Sequence, residues 1–152
     1  MATAIDVGNA DDIHPRNKRT LGLRLAALAM HEMGLRAAPA SGPRLLAHDA
    51  SGGEFRLRFG ATAGGLRTAR ADEPPRGFYL AGADHRWVPA QARLEGDGIV
   101  LRSPAVPAPV AARYAWVDNP SEANVIGGDG LPLAPLRTDD WPLESVGRRY
   151  QP

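Results

Sequence analysis

The 152-residue sequence predicts an α+β fold, in which a strand–loop–helix segment precedes a mainly antiparallel β-sandwich domain. Three observations support this prediction. A helical apolar pattern occurs only near the start, alternating apolar patterns begin after residue 42, and glycine and proline interrupt the chain throughout. We therefore divide the sequence into residues 1–36, a β-sandwich of residues 40–118, and a loop-rich tail of residues 119–152 that packs against the body.

The first segment has the pattern of an α/β domain. A short apolar run at residues 4–7 predicts a buried strand, and residues 17–33 predict a helix. Leu21, Leu25 and Leu28 share one face of that helix because they recur at spacings of four and three. Such a face usually covers a parallel sheet, but only one candidate strand is present. We expect a missing N-terminal part of the domain to cover the helix, or the helix to mediate self-association.

The pattern changes to β after residue 42. Residues 54–59 alternate strictly between polar and apolar side chains, and residues 95–98 carry the glycines of a hairpin turn. These short strands, separated by turn residues, are typical of an antiparallel sandwich. Further strands are predicted at residues 44–47, 77–80, 90–94, 99–102 and 110–116.

The loop between the predicted strand and helix carries a motif for proton transfer. It reads Asp11-Asp12-Ile13-His14-Pro15 and follows the predicted strand, at the edge of an α/β sheet where ligands bind. A carboxylate can hold one ring nitrogen of a histidine, which leaves the other free to take a proton from a serine hydroxyl. Asp11 and Asp12 both precede His14 closely enough for either carboxylate to hold the ring. A polar loop without catalytic function has the same local pattern.

The wider sequence resembles the C-terminal portion of the sialate O-acetylesterase family, which are SGNH-type carbohydrate esterases. The similarity extends in order over nearly the whole chain. It rests on residues 12–18, 21–26, 77–78, 81–84, 87–90, 113–116, 118–120, 130–132 and 136–141. The resemblance implies that residues 1–36 are the last strand, loop and helix of an SGNH domain, joined to an accessory β-sandwich. It also implies that His14 is the catalytic base and that the substrate is an O-acetylated sugar or polysaccharide. For the orienting acid, the general SGNH spacing Asp-x-x-His selects Asp11, which we favour, whereas the Asp-Ile-His-Pro string common in the family selects Asp12. Family members are secreted or periplasmic proteins, and no cofactor is implied.

The serine nucleophile of that family is absent from this sequence. The family carries it in a Gly-Gln-Ser-Asn-like motif that precedes the histidine, and no such motif occurs here. All serines follow His14, at positions 41, 51, 103, 121 and 145. A base without its nucleophile performs no acyl transfer. We therefore expect this chain to be inactive as an esterase unless the N-terminal catalytic segment is supplied.

Other functions are less consistent with the composition. The formal net charge of +1 and the absence of cysteine argue against a nucleic-acid partner and against a thiolate metal site. The histidine and carboxylate spacings do not suggest a metal site, and no apolar run is long enough to span a membrane. Two alternatives remain: a non-catalytic module that binds carbohydrate or protein, and a relic without function.

Aromatic residues in the β region have two interpretations. Trp87, Trp116 and Tyr114 suit a sugar-stacking surface, but alternating aromatic residues on strands more often belong to the core. Tyr114 and Trp116 are two residues apart and are expected to share one strand face. Near the C-terminus, the sequence 139–141 predicts that Trp141 packs against the body beside solvated carboxylates.

Overall fold

The structure, a computed structural model, describes residues 1–37 and 41–143. Within these ranges one helix precedes ten short strands. The elements are α1 (Lys18–Glu32), β1 (Arg44–Ser51), β2 (Glu54–Gly60), β3 (Leu66–Thr68), β4 (Phe78–Ala81), β5 (Val88–Pro89), β6 (Gln91–Glu95), β7 (Gly98–Arg102), β8 (Ala111–Tyr114), β9 (Val125–Gly127) and β10 (Leu136–Arg137). The helix is too short and too polar to be a membrane-spanning segment.

The strands form two four-stranded sheets and one two-stranded sheet. Their orders are β1-β2-β7-β6, β10-β8-β4-β5 and β3-β9. Every strand pair is antiparallel, which confirms the prediction from the alternating sequence pattern. The predicted hairpin joins β6 to β7, and Gly96 at its turn has a φ of +58°, which glycine adopts without steric cost.

The two larger sheets share one hydrophobic core. Phe55, Leu57 and Phe59 on β2 are 1–3% exposed, as their alternation predicts. They belong to the same core cluster as Leu80 and Tyr114 of the second sheet, which are both fully buried. Burial of one such side chain contributes roughly 1.5–3 kcal/mol, so this shared interior is the main source of stability.

The chain beyond residue 118 adds strands to the β body. Its strand β9 pairs with β3, and β10 pairs with β8. Val125 and Leu133 are each 1% exposed in the core. The backbone at Pro132 lies directly against Gly42, and a Cβ placed on Gly42 would clash with the Pro132 carbonyl oxygen. The end of the predicted tail, residues 144–152, lies outside the described residues.

The helix has well-defined ends. The N-cap is Asn17, whose side chain accepts a 3.1 Å hydrogen bond from the Thr20 amide. At the other end Gly34 adopts a φ of +70°, and the Leu35 amide donates to the Met30 carbonyl oxygen at 2.9 Å. This is a glycine-containing C-terminal motif, which satisfies a carbonyl oxygen of the last turn.

The helix lies outside the core. None of its residues is buried. Leu25 is 52% exposed, whereas Leu21 and Leu28 are half-buried, so the predicted leucine stripe is only partly covered. Leu23 is also 56% exposed, which extends the apolar surface that faces solvent.

The predicted strand at residues 4–7 does not form. These residues make a turn in which the Val7 amide donates to the Ala4 carbonyl oxygen at 3.2 Å. An extended segment needs a neighbouring strand to pair its backbone groups, and none of the described strands lies beside it. The apolar side chain of Ile5 instead packs against the core of the β body.

We expect Tyr114→Phe to lower the free energy of unfolding by about 1–3 kcal/mol. The Tyr114 hydroxyl accepts a 3.1 Å hydrogen bond from the buried Val125 amide, and phenylalanine would leave that amide unpaired. Urea unfolding measures the effect, with Tyr79→Phe as the control because Tyr79 is only half-buried on the neighbouring strand. Equal stabilities of the two variants would contradict the prediction.

The same tyrosine predicts a loss of stability at high pH. Burial raises the pKa of Tyr114 to about 12, against about 10 in the unfolded chain. Because the folded pKa is the higher one, the stabilisation is complete below pH ~10 and disappears as the pH rises through ~12. The loss reaches roughly 2–3 kcal/mol. Urea unfolding between pH 9 and pH ~11.5 should therefore show that the free energy of unfolding of the unaltered protein approaches that of Tyr114→Phe as the pH rises. A difference that stays constant over this range would contradict the prediction.

Candidate active site

The His14 loop places a carboxylate beside an exposed imidazole. The Asp12 Oδ1 atom lies 3.4 Å from His14 Nδ1 and also accepts the His14 backbone amide at 2.8 Å. The side chain of His14 is 79% exposed and that of Asp12 is 44% exposed. The hydrogen bond to the amide is a local turn that holds both residues in place, since it spans only two residues. The other ring nitrogen of His14 is therefore available to a reacting group.

The structure distinguishes the two aspartates of the motif. Asp12 is the one that meets the imidazole, and no ion pair between Asp11 and His14 occurs within residues 1–37. The Asp11 backbone amide donates instead to the side chain of Asn9 at 3.1 Å. Two side-chain-to-backbone hydrogen bonds therefore organise the loop, and the carboxylate of Asp11 takes part in neither of them.

An ion pair attaches the start of this loop to the helix. Arg24 donates two hydrogen bonds of 2.6 Å to the Asp6 carboxylate and one of 2.8 Å to the Thr3 carbonyl oxygen. These hydrogen bonds from the guanidinium keep the pKa of Asp6 below its usual range. The Arg24 side chain is 11% exposed and the Asp6 side chain is 35% exposed, so the pair is only partly shielded from water. The sequence carries no signal for this contact, because its partners are separated by eighteen positions.

A polar cleft lies between the residues that precede His14 and the β body. Its volume is about 860 Å³. One wall comes from residues 4–10, which lead into the motif, and the other from residues 69–76 and 118–124. Polar side chains line it, including Asn9, Arg70, Arg76, Asn119 and Ser121. Clefts of this size hold small ligands, and such side chains are suited to hydrogen-bonding hydroxyl groups.

Hydrogen bonds fix the wall that the β body provides. The Asn124 side chain accepts from the Arg76 amide at 2.9 Å and donates to the Pro74 carbonyl oxygen at 2.9 Å. Glu73 bridges Arg70 and Arg76 at 3.1 and 3.0 Å. These contacts join segments almost fifty residues apart, so sequence patterns do not reveal this part of the site.

The described serines are not placed as nucleophiles. Ser103 is 8% exposed and Ser51 belongs to β1, where it pairs with Glu54. Ser121 lines the cleft. Within residues 1–37 and 41–143, no serine hydroxyl forms a hydrogen bond with His14. Ser145 lies outside the described residues.

The other histidines make structural contacts. His31 Nδ1 lies 3.0 Å from the Arg36 carbonyl oxygen at the end of the helix, and His48 stacks on Phe55 at a ring distance of 5.5 Å. In the part of the chain that the structure describes, histidine and carboxylate side chains do not converge into a group of three that could hold a metal ion.

The aromatic residues of the β region are divided between core and surface. Tyr114 is a core residue, as predicted, but Trp116 is 39% exposed, so the prediction that both share one buried face was wrong. Strand β8 ends at Tyr114, and Ala115 follows with a φ of +51°, which interrupts the alternation. Asp139 was also expected to be solvated, but its side chain is 1% exposed because Arg113 binds it.

Comparison with known proteins shows a close likeness to part of a solved structure. No family model matches the chain, and neither does any curated protein. The crystal structure of XAC1771, a carbohydrate acetylesterase from Xanthomonas citri, superposes with a TM-score of 0.87 at 44% sequence identity. The match covers 92% of this chain and 32% of that chain, so this chain spans about a third of that protein's length. This chain is therefore closely similar in fold and sequence to part of a carbohydrate acetylesterase, a broader class than the sialate O-acetylesterases that its motifs resemble.

Proposed function

We propose that this chain is the histidine-bearing part of a sialate O-acetylesterase-like serine hydrolase that removes O-acetyl groups from sugars or polysaccharides. The observation that carries the proposal is the close likeness to part of a carbohydrate acetylesterase. The His14–Asp12 pair supports it, because acyl transfer to water needs a base of this kind. Residues 1–36 then form the final loop and helix of an SGNH domain, and residues 40–118 form its accessory β-sandwich.

In this proposal His14 acts first as a general base. Its Nε2 atom takes the proton from an attacking serine, and it later returns a proton to the sugar oxygen that leaves. Asp12 holds Nδ1 and stabilises the imidazolium that forms. The serine and the groups that stabilise the oxyanion come from a catalytic segment outside this chain, since no described serine contacts His14.

The polar cleft suits the sugar part of the substrate. It adjoins the residues that lead into the His14 loop, and its second wall is held rigid by Asn124 and Glu73. A rigid wall of hydrogen-bonding side chains can orient a sugar with little loss of side-chain entropy. The β body would thus contribute to substrate positioning as well as to stability.

The exposed helix face suits the catalytic segment. Leu23 and Leu25 are more than half exposed, although a helix in an α/β domain normally covers a sheet. Packing of the segment that carries the serine against these leucines would bury them. It would also bring the serine close to His14.

The first test is reconstitution of esterase activity. We expect this chain alone not to hydrolyse p-nitrophenyl acetate above background, and we expect activity when it is mixed with, or fused to, the part of XAC1771 outside the matching region. His14→Ala should then reduce kcat/KM by about 10³-fold or more, because it removes the base.

A matched control is a surface histidine elsewhere in the chain. His48→Ala alters a histidine that stacks on Phe55 and should leave activity within about 2-fold of wild type. Hydrolysis by the isolated chain that depends on His14 would contradict the absence of a nucleophile. Absence of activity in a folded fusion protein would count against the esterase proposal itself.

A second prediction separates the two aspartates in the reconstituted enzyme. We expect Asp12→Asn to lower kcat by about 10²- to 10⁴-fold, because an amide would hold the imidazole in the wrong tautomer. Asp11→Asn is the matched variant at the adjacent position and should change kcat by less than about 5-fold. The reverse order, measured by steady-state kinetics, would assign the orienting role to Asp11.

A further inference from the structure

All three tryptophans of the chain lie in one surface cluster. Trp87 and Trp141 have ring centroids 5.4 Å apart, and the His85 ring stacks on Trp141 at 3.7 Å with an angle of 11° between the planes. Trp116 joins the cluster through Arg137, whose guanidinium lies 5.9 Å from its ring centre. None of these rings belongs to the hydrophobic core. We call Trp87, Trp116, Trp141 and His85 the tryptophan face.

A buried ion pair fixes the tryptophan face from beneath. Arg113 stacks on Trp87 at 4.1 Å and donates hydrogen bonds of 2.9 and 2.8 Å to the Asp139 carboxylate, which is 1% exposed. Arg137 donates to the backbone carbonyl oxygens of Asp139 and Trp141 at 2.8 and 3.0 Å. The rings are therefore held in position before any ligand arrives, which reduces the entropic cost of binding.

The backbone adopts unfavourable conformations at two points of this face. His85 has a φ of +60° and Ala115 has a φ of +51°, in the left-handed region that non-glycine residues rarely occupy. The first residue belongs to the face, and the second directs Trp116 toward solvent instead of the core. Such conformations cost on the order of 1–3 kcal/mol each, and Ala61 and Ala63, which lie outside the face, adopt them as well. A chain that needed only stability would gain by burying Trp116.

The exposed part of the face combines apolar and polar groups. Trp116 is 39% exposed and Val117 is 46% exposed, beside a depression of about 230 Å³ that Asp118 also lines. Arg113 and Arg137 share the carboxylate of Asp139, at 2.8 and 3.8 Å, which balances part of the charge of the two guanidinium groups. Flat rings cover the C–H faces of a sugar, and the neighbouring guanidinium and carboxylate groups suit its hydroxyls.

From these observations we propose that the tryptophan face is a second saccharide-binding site, distinct from the cleft that residues 4–10 line. It goes beyond the esterase proposal, because the four rings of the face do not line that cleft, although Asp118 borders both the cleft and the depression beside Trp116. Its ligand is a chain of sugar units that stacks on Trp116 and lies across the other rings. The face would hold a polysaccharide without acting on it chemically.

Intrinsic fluorescence tests this proposal directly. Since every tryptophan belongs to the face, a change in tryptophan emission can come only from this region. We expect cellohexaose or xylohexaose, added to the intact chain, to change the emission saturably at concentrations below about 10 mM. The three indole N–H signals in a ¹H–¹⁵N spectrum should shift over the same range, and this measurement needs no variant.

Two variants locate the binding. Trp116→Ala should weaken binding by about 10-fold or more, since it removes the most exposed ring. Leu46→Ala removes an exposed apolar side chain from β1, outside the face, and should leave the affinity unchanged. No change in emission or in the indole signals with either sugar would overturn the proposal. Binding of unaltered strength in folded Trp116→Ala would also overturn it, as would loss of binding in His14→Ala. Esterase reconstitution is measured separately, so either proposal can fail without the other.

Discussion

The two larger sheets of this protein depend on one shared interior. Each sheet has one apolar face, and the described helix covers neither of them. Each sheet therefore shields the apolar face of the other from water. Tyr114 lies in this interior, fully buried, with its hydroxyl on the Val125 amide. The apolar ring adds to the core, and the hydroxyl satisfies a backbone group of a strand from the third sheet. Pairing of β3 with β9 thereby becomes part of the same cooperative unit.

The helical segment is held by a different kind of interaction. No helix residue is buried. The segment before the helix is attached by the partly shielded ion pair between Asp6 and Arg24 and by the packing of Ile5 on the core. A partly exposed ion pair contributes far less than a hydrophobic interface. The His14 loop is therefore ordered locally, by Asp12 and Asn9, on a segment with little packing of its own. That arrangement fits a loop whose remaining support comes from another segment.

Local patterns predicted the elements that carry enough residues to show a period. The alternation in β2 and the leucine spacing in the helix were both sufficient. Strands β3, β5, β9 and β10 were missed because two or three residues cannot show alternation. The run at residues 4–7 failed for the opposite reason, since its composition suits a strand but no partner strand is present in the structure.

The candidate site likewise has local contacts that the sequence predicted and long-range contacts that it did not reveal. The pairing of His14 with a neighbouring carboxylate is local in sequence, and the motif predicted it, although the two aspartates could not be distinguished by spacing alone. The cleft wall depends on Asn124 reaching Arg76 and Pro74, and the tryptophan face depends on Arg113 reaching Asp139. These contacts bring together segments that no periodicity relates.

The surface position of Trp116 is more informative than a buried position would have been. A tryptophan in the core is explained by the apolar area that it buries. Trp116 follows the left-handed Ala115 and stays partly exposed, so it does not contribute that burial energy. A binding function accounts for the difference if the ligand supplies the missing contact. A polysaccharide presents the same unit many times, so retention of one part of the chain raises the local concentration of its other units. A weak site at the tryptophan face would then increase the occupancy of the cleft that residues 4–10 line, without any change in the chemistry at His14.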